Sequence, residues 1–205
     1  MEETQIIAHC AFRNWDAGIG DPTVWGWLTV AIYALAAIVA GVTAYRGPFP
    51  DMSRTREQIF WGCLTVGLAF LSVNKQLDLQ SLMTVIGRCS ALQQGWYEDR
   101  HTIQGLMILG LGLFVVASGV FFLILLRGTL RRSALPVLGG AFVSGFVLIR
   151  AVGFHNVDQM LGMRLPAALG SVKVNFLLEA PGPLLIMFTG LWLLRRAAWK
   201  SEFPD

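Results

Sequence analysis

The stretch 104–126 reads QGLMILGLGLFVVASGVFFLILL and contains no charged side chain. A helix rises about 1.5 Å per residue and the hydrocarbon core of a bilayer is about 30 Å thick, so about 20 apolar residues make a crossing. This stretch is long enough to cross, and it sets the standard for reading the other apolar runs. Segment 23–45 meets it, with Asp21-Pro22 as a helix start in front. Segment 58–78 begins apolar and runs into the polar Asn74-Lys75-Gln76. Segment 135–154 carries Arg150, and 175–194 is interrupted by Glu179 and by Ala180-Pro181-Gly182-Pro183. The expectation is an all-α polytopic bundle of five transmembrane helices forming one membrane domain over 1–205.

Composition agrees. Of 205 residues 55% are hydrophobic and 14% carry Asp, Glu, Lys or Arg, against about 25% charged in soluble domains. Mean hydropathy is +0.58. These values exclude a disordered chain, a basic nucleic-acid-binding domain and a small disulfide-stapled module, so nucleic acid is not an expected partner. Membrane lipids are, and so are other membrane subunits. The net charge of +3 arises from few groups, so their placement matters more than their sum.

Arg46, Arg54 and Arg56, then Arg127, Arg131 and Arg132, then Arg195, Arg196 and Lys200 fall in short segments on one side of the five spans. Such segments are cytoplasmic. Glu2, Glu3, Asp16, Asp21, Glu98 and Asp99 fall on the other side, which puts the N-terminus outside and the C-terminus in the cytoplasm. Residues 1–22 begin acidic and lack a continuous apolar run, so no signal peptide is expected. Leu82, Ile86, Cys89, Leu92 and Trp96 recur at helical steps, so 79–96 either extends the second span or lies along the membrane surface. Trp25, Trp27, Trp96, Tyr97 and Trp192 suit interfacial anchors.

The polar residues within the spans share a depth. Asn74 and Asp78 lie about 27 and 33 Å beyond Arg56 along a helix, Arg150 about 27 Å beyond Arg132, and Glu179 about 24 Å from Arg195. Three spans thus put ionisable groups at the outer edge of the hydrocarbon. A charge within a span costs about 2.5–3.5 kcal/mol on insertion scales, and Glu179 is too short to snorkel far. It is expected to face the bundle, with Arg150 and Lys75 as partners. A purely structural role, ion pairs tying helix ends together, competes with a functional one.

Spacing extends the pattern. Asn74, Lys75 and Asp78 share a helix face, and His155 and Asp158 are three apart, as are Glu98 and His101. His155 oriented by Asp158 suits a general base, with Asp78 and Glu179 as further acid/base candidates. Asn74, Lys75, Arg150, Arg100 and His101 are candidates for binding an anionic group. His9, His101 and His155 together would suit a zinc ion, but they lack a spacing signature, so no metal site is assigned and the sequence names no cofactor. Pro181 and Pro183 predict either a break below Glu179 or a helix that starts late with proline in its first turn. Gly105, Gly110, Gly112 and Gly119 would let neighbouring helices approach. Cys10 and Cys89 fall on the outer side, where a bridge competes with a free buried thiol at Cys89.

The segments Asn74–Gln80 (NKQLDLQ), Gly95–Arg100 (GWYEDR) and Phe154–Asp158 (FHNVD) resemble the recurring polar stretches of an uncharacterised family of bacterial integral-membrane proteins, over about 58–182. The resemblance implies a bacterial inner membrane and no particular activity. Ceramidase-like hydrolases, with Ser, Asp and three His in seven spans, differ in span number and His spacing. The sequence therefore favours a polar pocket at the periplasmic rim that binds an amphipathic lipid-type substrate, with hydrolysis or transfer as a further step. The rival is a non-enzymatic accessory or assembly subunit of a larger membrane complex.

Overall fold

The computed structural model describes residues 3–15, 19–152 and 172–202. Their regular structure is helical, with no β-strand among the described residues. In order, the helices are α1 (Glu3–Asn14), α2 (Val24–Arg46), α3 (Arg54–Leu77), α4 (Leu79–Gln94), α5 (Arg100–Leu125), α6 (Leu130–Val152), α7 (Val174–Glu179) and α8 (Pro181–Glu202), with a short 3-10 turn at Tyr97–Asp99. Among them α2, α5 and α6 contain stretches long and apolar enough to cross a membrane. The described residues thus form an all-helical structure with three helices able to cross a membrane, as in a membrane protein.

The core forms where α2, α3, α6 and α8 meet. Along α2 the buried residues Gly26, Thr29, Tyr33, Ala36, Ala37, Ala40 and Thr43 recur at three- and four-residue steps, making one helix face. Small alanines on that face let α3 and α8 come close. Phe60, Trp61 and Leu68 of α3, Val143 of α6, and Ile186 and Leu193 of α8 complete the cluster. The buried hydroxyls of Thr29, Thr43 and Thr189 donate to the carbonyl four residues back at 2.7–2.8 Å. Each is satisfied within its own helix and none opens a polar path.

Helix contacts are tightest at glycine, but not at the positions expected. A Cβ added to Gly105, Gly110, Gly112 or Gly119 of α5 would meet nothing within 4 Å, and none of that helix's apolar stretch is buried. The close approach lies elsewhere: a Cβ on Gly182 would stand 2.7 Å from Val143 and 2.8 Å from the carbonyl of Gly139. Composition alone marks both sets alike; only packing separates them.

Segment 79–96 does not continue α3. Asp78 adopts φ 46°, ψ 50°, the left-handed region that Asp tolerates better than most side chains. This ends α3 and starts α4. Helix α4 packs on α1, and a Cys10–Cys89 disulfide joins them, the first of the two alternatives left open for these cysteines. Gln94 adds a bond to Glu3 at 3.0 Å. The proline-rich segment satisfies both of its readings. α7 ends at Glu179, and Pro181 opens α8, where a missing backbone donor costs nothing.

Candidate functional site

The start of α2, the end of α3, the end of α6 and α7 surround a cavity of about 510 Å³. Its polar part is held by two ion pairs. Lys75 Nζ donates to Glu179 Oε2 at 2.6 Å, with the side chains 10% and 6% exposed. Asn175 Nδ2 donates to the same oxygen at 3.2 Å, one helical turn before Glu179. Lys173 Nζ meets Asp21 Oδ1 at 3.1 Å. Glu179 thus faces the bundle, as its short side chain required, and Lys75 is a cationic partner there.

Local folding places each group. Gln76 receives the segment before α2: its Nε2 donates to the Asp21 carbonyl, its Oε1 accepts from the Asp21 N–H, both at 3.3 Å, and its carbonyl accepts from Gly20 N–H at 2.8 Å. A side chain at Gly20 would press on the Lys75 carbonyl at 3.1 Å, so glycine lets the segment lie against the α3 terminus. Asp21 Oδ1 then accepts from Thr23 Oγ1 at 2.7 Å, and Thr23 caps α2 by accepting from Gly26 N–H. Burial pushes the Asp21 carboxyl up, but bonds from Thr23 and the Lys173 ammonium outweigh it, and its pKa lies below the ordinary 3.8.

The deeper wall is apolar and aromatic, with Tyr33, Phe70, Leu71, Phe146 and Val147 below the charged groups. Among the described lining residues Asp21, Asp78 and Glu179 balance Lys75, Arg150 and Lys173. Asn175 also lines the cavity, and its Oδ1 is buried without a hydrogen-bond partner. The arrangement presents both charge signs above a hydrocarbon-like floor.

Of the residues singled out in the sequence, Asn74, Lys75, Asp78, Arg150 and Glu179 come together here. Asp78 has a second task, because its Oδ2 accepts from Ser81 Oγ at 2.5 Å while its backbone makes the α3–α4 joint. Arg100 and His101 open α5, and their side chains lie outside the described set. His155 and Asp158 lie outside the described residues altogether. His9 sits exposed on α1.

Asp21, Lys173 and Asn175 are not among the site residues expected from the sequence, because they lie just outside or at the start of predicted spans and give no depth signal. A second ion pair, with a buried carboxylate, lies at the opposite end of the bundle and was not expected from the sequence. There Glu57, 1% exposed, pairs with Arg132, which also donates to the Pro48 carbonyl at 3.3 Å and lies over the Phe49 ring. Ser53 Oγ donates to Glu57 Oε1 at 2.8 Å. In the sequence Arg132 serves as a topology charge and a depth marker; the available signal for the pair is the Glu57 carboxylate directly before the apolar run of α3.

Comparison with protein-family models, with curated proteins and with solved structures yields no match to this chain.

Proposed function

We propose that the chain is a five-span integral membrane protein whose rim cavity binds the polar headgroup of an amphipathic, lipid-type molecule. In this reading α3 and the α7–α8 pair cross the membrane beside α2, α5 and α6. The N-terminal side faces the periplasm of a bacterial inner membrane, and the C-terminus is cytoplasmic. The single observation that carries the proposal is the cavity itself, with ion-paired walls above an aromatic floor. Such a boundary suits a molecule that is charged at one end and apolar at the other. The Cys10–Cys89 bridge supports the orientation, since disulfides persist on the oxidising side of a membrane.

In the same proposal Lys75, Arg150, Asn74, Arg100 and His101 receive the headgroup, and any hydrolysis or transfer falls to Asp78, His155, Asp158 and Glu179. The pairing of Glu179 with Lys75 suits it better to holding the cavity open than to moving a proton. Native mass spectrometry from mild detergent tests the binding. The wild type is expected to carry phospholipid, and Lys75→Met with Arg150→Met to lose it. A lipid-free wild type, or equal retention in the variant, would overturn the proposal.

One observation favours the accessory-subunit reading: no part of the apolar stretch of α5 is buried among the described residues, and its glycines face open space. A stable stoichiometric protein partner in the same spectra would favour it, and a lone chain would count against it.

A further inference from the structure

We infer that the hydrocarbon chain of the bound molecule lies in an apolar groove on α6 and α7, directly below the headgroup cavity. The inference rests on the reading of that cavity as a headgroup site. The groove encloses about 370 Å³ and is lined by Leu138, Ala141, Phe142, Gly145, Phe146, Ile149 and Leu178. The six residues from α6 follow three- and four-residue steps along one helix stripe. Ala141 and Gly145 are the small residues of that stripe, set between Leu138, Phe142 and Ile149, whose side chains stay about half exposed. No lining side chain has a polar atom.

Two features tie the groove to the cavity. Phe146, only 5% exposed, lines both. On each helix the walls are also neighbours in sequence: Ile149 faces the groove and Arg150 the cavity, Leu178 the groove and Glu179 the cavity. In this inference a molecule with its charged end among Lys75, Arg150 and Glu179 reaches the groove across Phe146, the side chain that the two linings share. From Leu138 to Ile149 the groove runs about 16 Å along the helix, close to half the hydrocarbon thickness. This is the depth of one leaflet, the one on the disulfide side. With carboxylates and cations balanced among the described lining residues, the occupant is a lipid with a zwitterionic headgroup.

The test uses the full chain in detergent, with dipalmitoyl phosphatidylethanolamine and the water-soluble glycerophosphoethanolamine as probes. A Cβ at Gly145 meets nothing within 4 Å, so Gly145→Phe fills the groove from an open position; Ala141→Phe is the second variant if the first fails to fold. Displacing about two methylenes is expected to weaken the lipid about tenfold and leave the headgroup compound unchanged. Unchanged lipid affinity in a folded groove variant, with Lys75→Met still impaired, would overturn the groove and leave the cavity reading standing. Lipid affinity indifferent to both substitutions would overturn both.

Discussion

Lys75 and Glu179 lie 104 positions apart and meet at 2.6 Å with both side chains largely buried. This contact joins the end of α3 to the end of α7 at the wall of the rim cavity. Buried charges of this kind are tolerated in pairs and costly alone.

Breaking the pair from one side leaves an uncompensated buried charge. Lys75→Met alone is expected to cost about 3–5 kcal/mol, and Lys75→Met with Glu179→Leu considerably less. Melting of the purified protein in detergent measures both. Additive losses would show that the two side chains do not act as a pair.

The pair at the other end makes a parallel prediction with a different readout. Glu57 is fully enclosed and has an unpartnered Oε2, as has the Nε of Arg132, so Arg132→Met strands a carboxylate at the start of α3. A loss of about 3–5 kcal/mol is expected, without weaker lipid binding at the distant cavity. Reduced lipid affinity in the folded variant would show that the two ends are coupled.

Acid should loosen the segment before α2. The Asp21 carboxyl is held below its ordinary pKa by Thr23 and Lys173. Its contribution is therefore fully present above about pH 4 and is lost as pH falls through the depressed value. Asp21→Asn should remove this part of the pH dependence of melting. An unchanged acid profile would contradict the Asp21–Lys173 pairing.

Glycine substitutions separate packing from composition. Gly182→Leu drives a side chain into Val143 and the Gly139 carbonyl and is expected to cost about 1–3 kcal/mol, read as a lower melting point. Gly112→Leu, into open space on α5, should leave melting almost unchanged. Equal effects would mean that α5 is packed against a surface.

Much of this architecture was legible in the sequence because burial in a membrane is written as length without charge. The run 104–126 and the depth of Asn74, Lys75, Arg150 and Glu179 needed only the helix rise. Depth, however, is one coordinate of three. It named Lys75 and Arg150 together as partners for Glu179 without choosing between them, and it could not say that Asp78 would turn left-handed and start a new helix. It was silent on Asp21 and Lys173, which reach the cavity from connecting segments where no periodicity applies. Glu57 and Arg132 were hidden for the opposite reason: charges at a helix start look like ordinary interfacial residues until the fold encloses them.

The most direct measurement is labelling of Asn74→Cys, in a Cys63→Ser background, by a membrane-impermeant maleimide on intact cells. Asn74 lines the cavity beside Lys75. Labelling from the periplasmic side, suppressed in reconstituted protein by phosphatidylethanolamine but not by an uncharged detergent, is the predicted result. A thiol at this position that is unreachable from that side, or labelled equally with and without the lipid, would contradict a headgroup site at the outer rim.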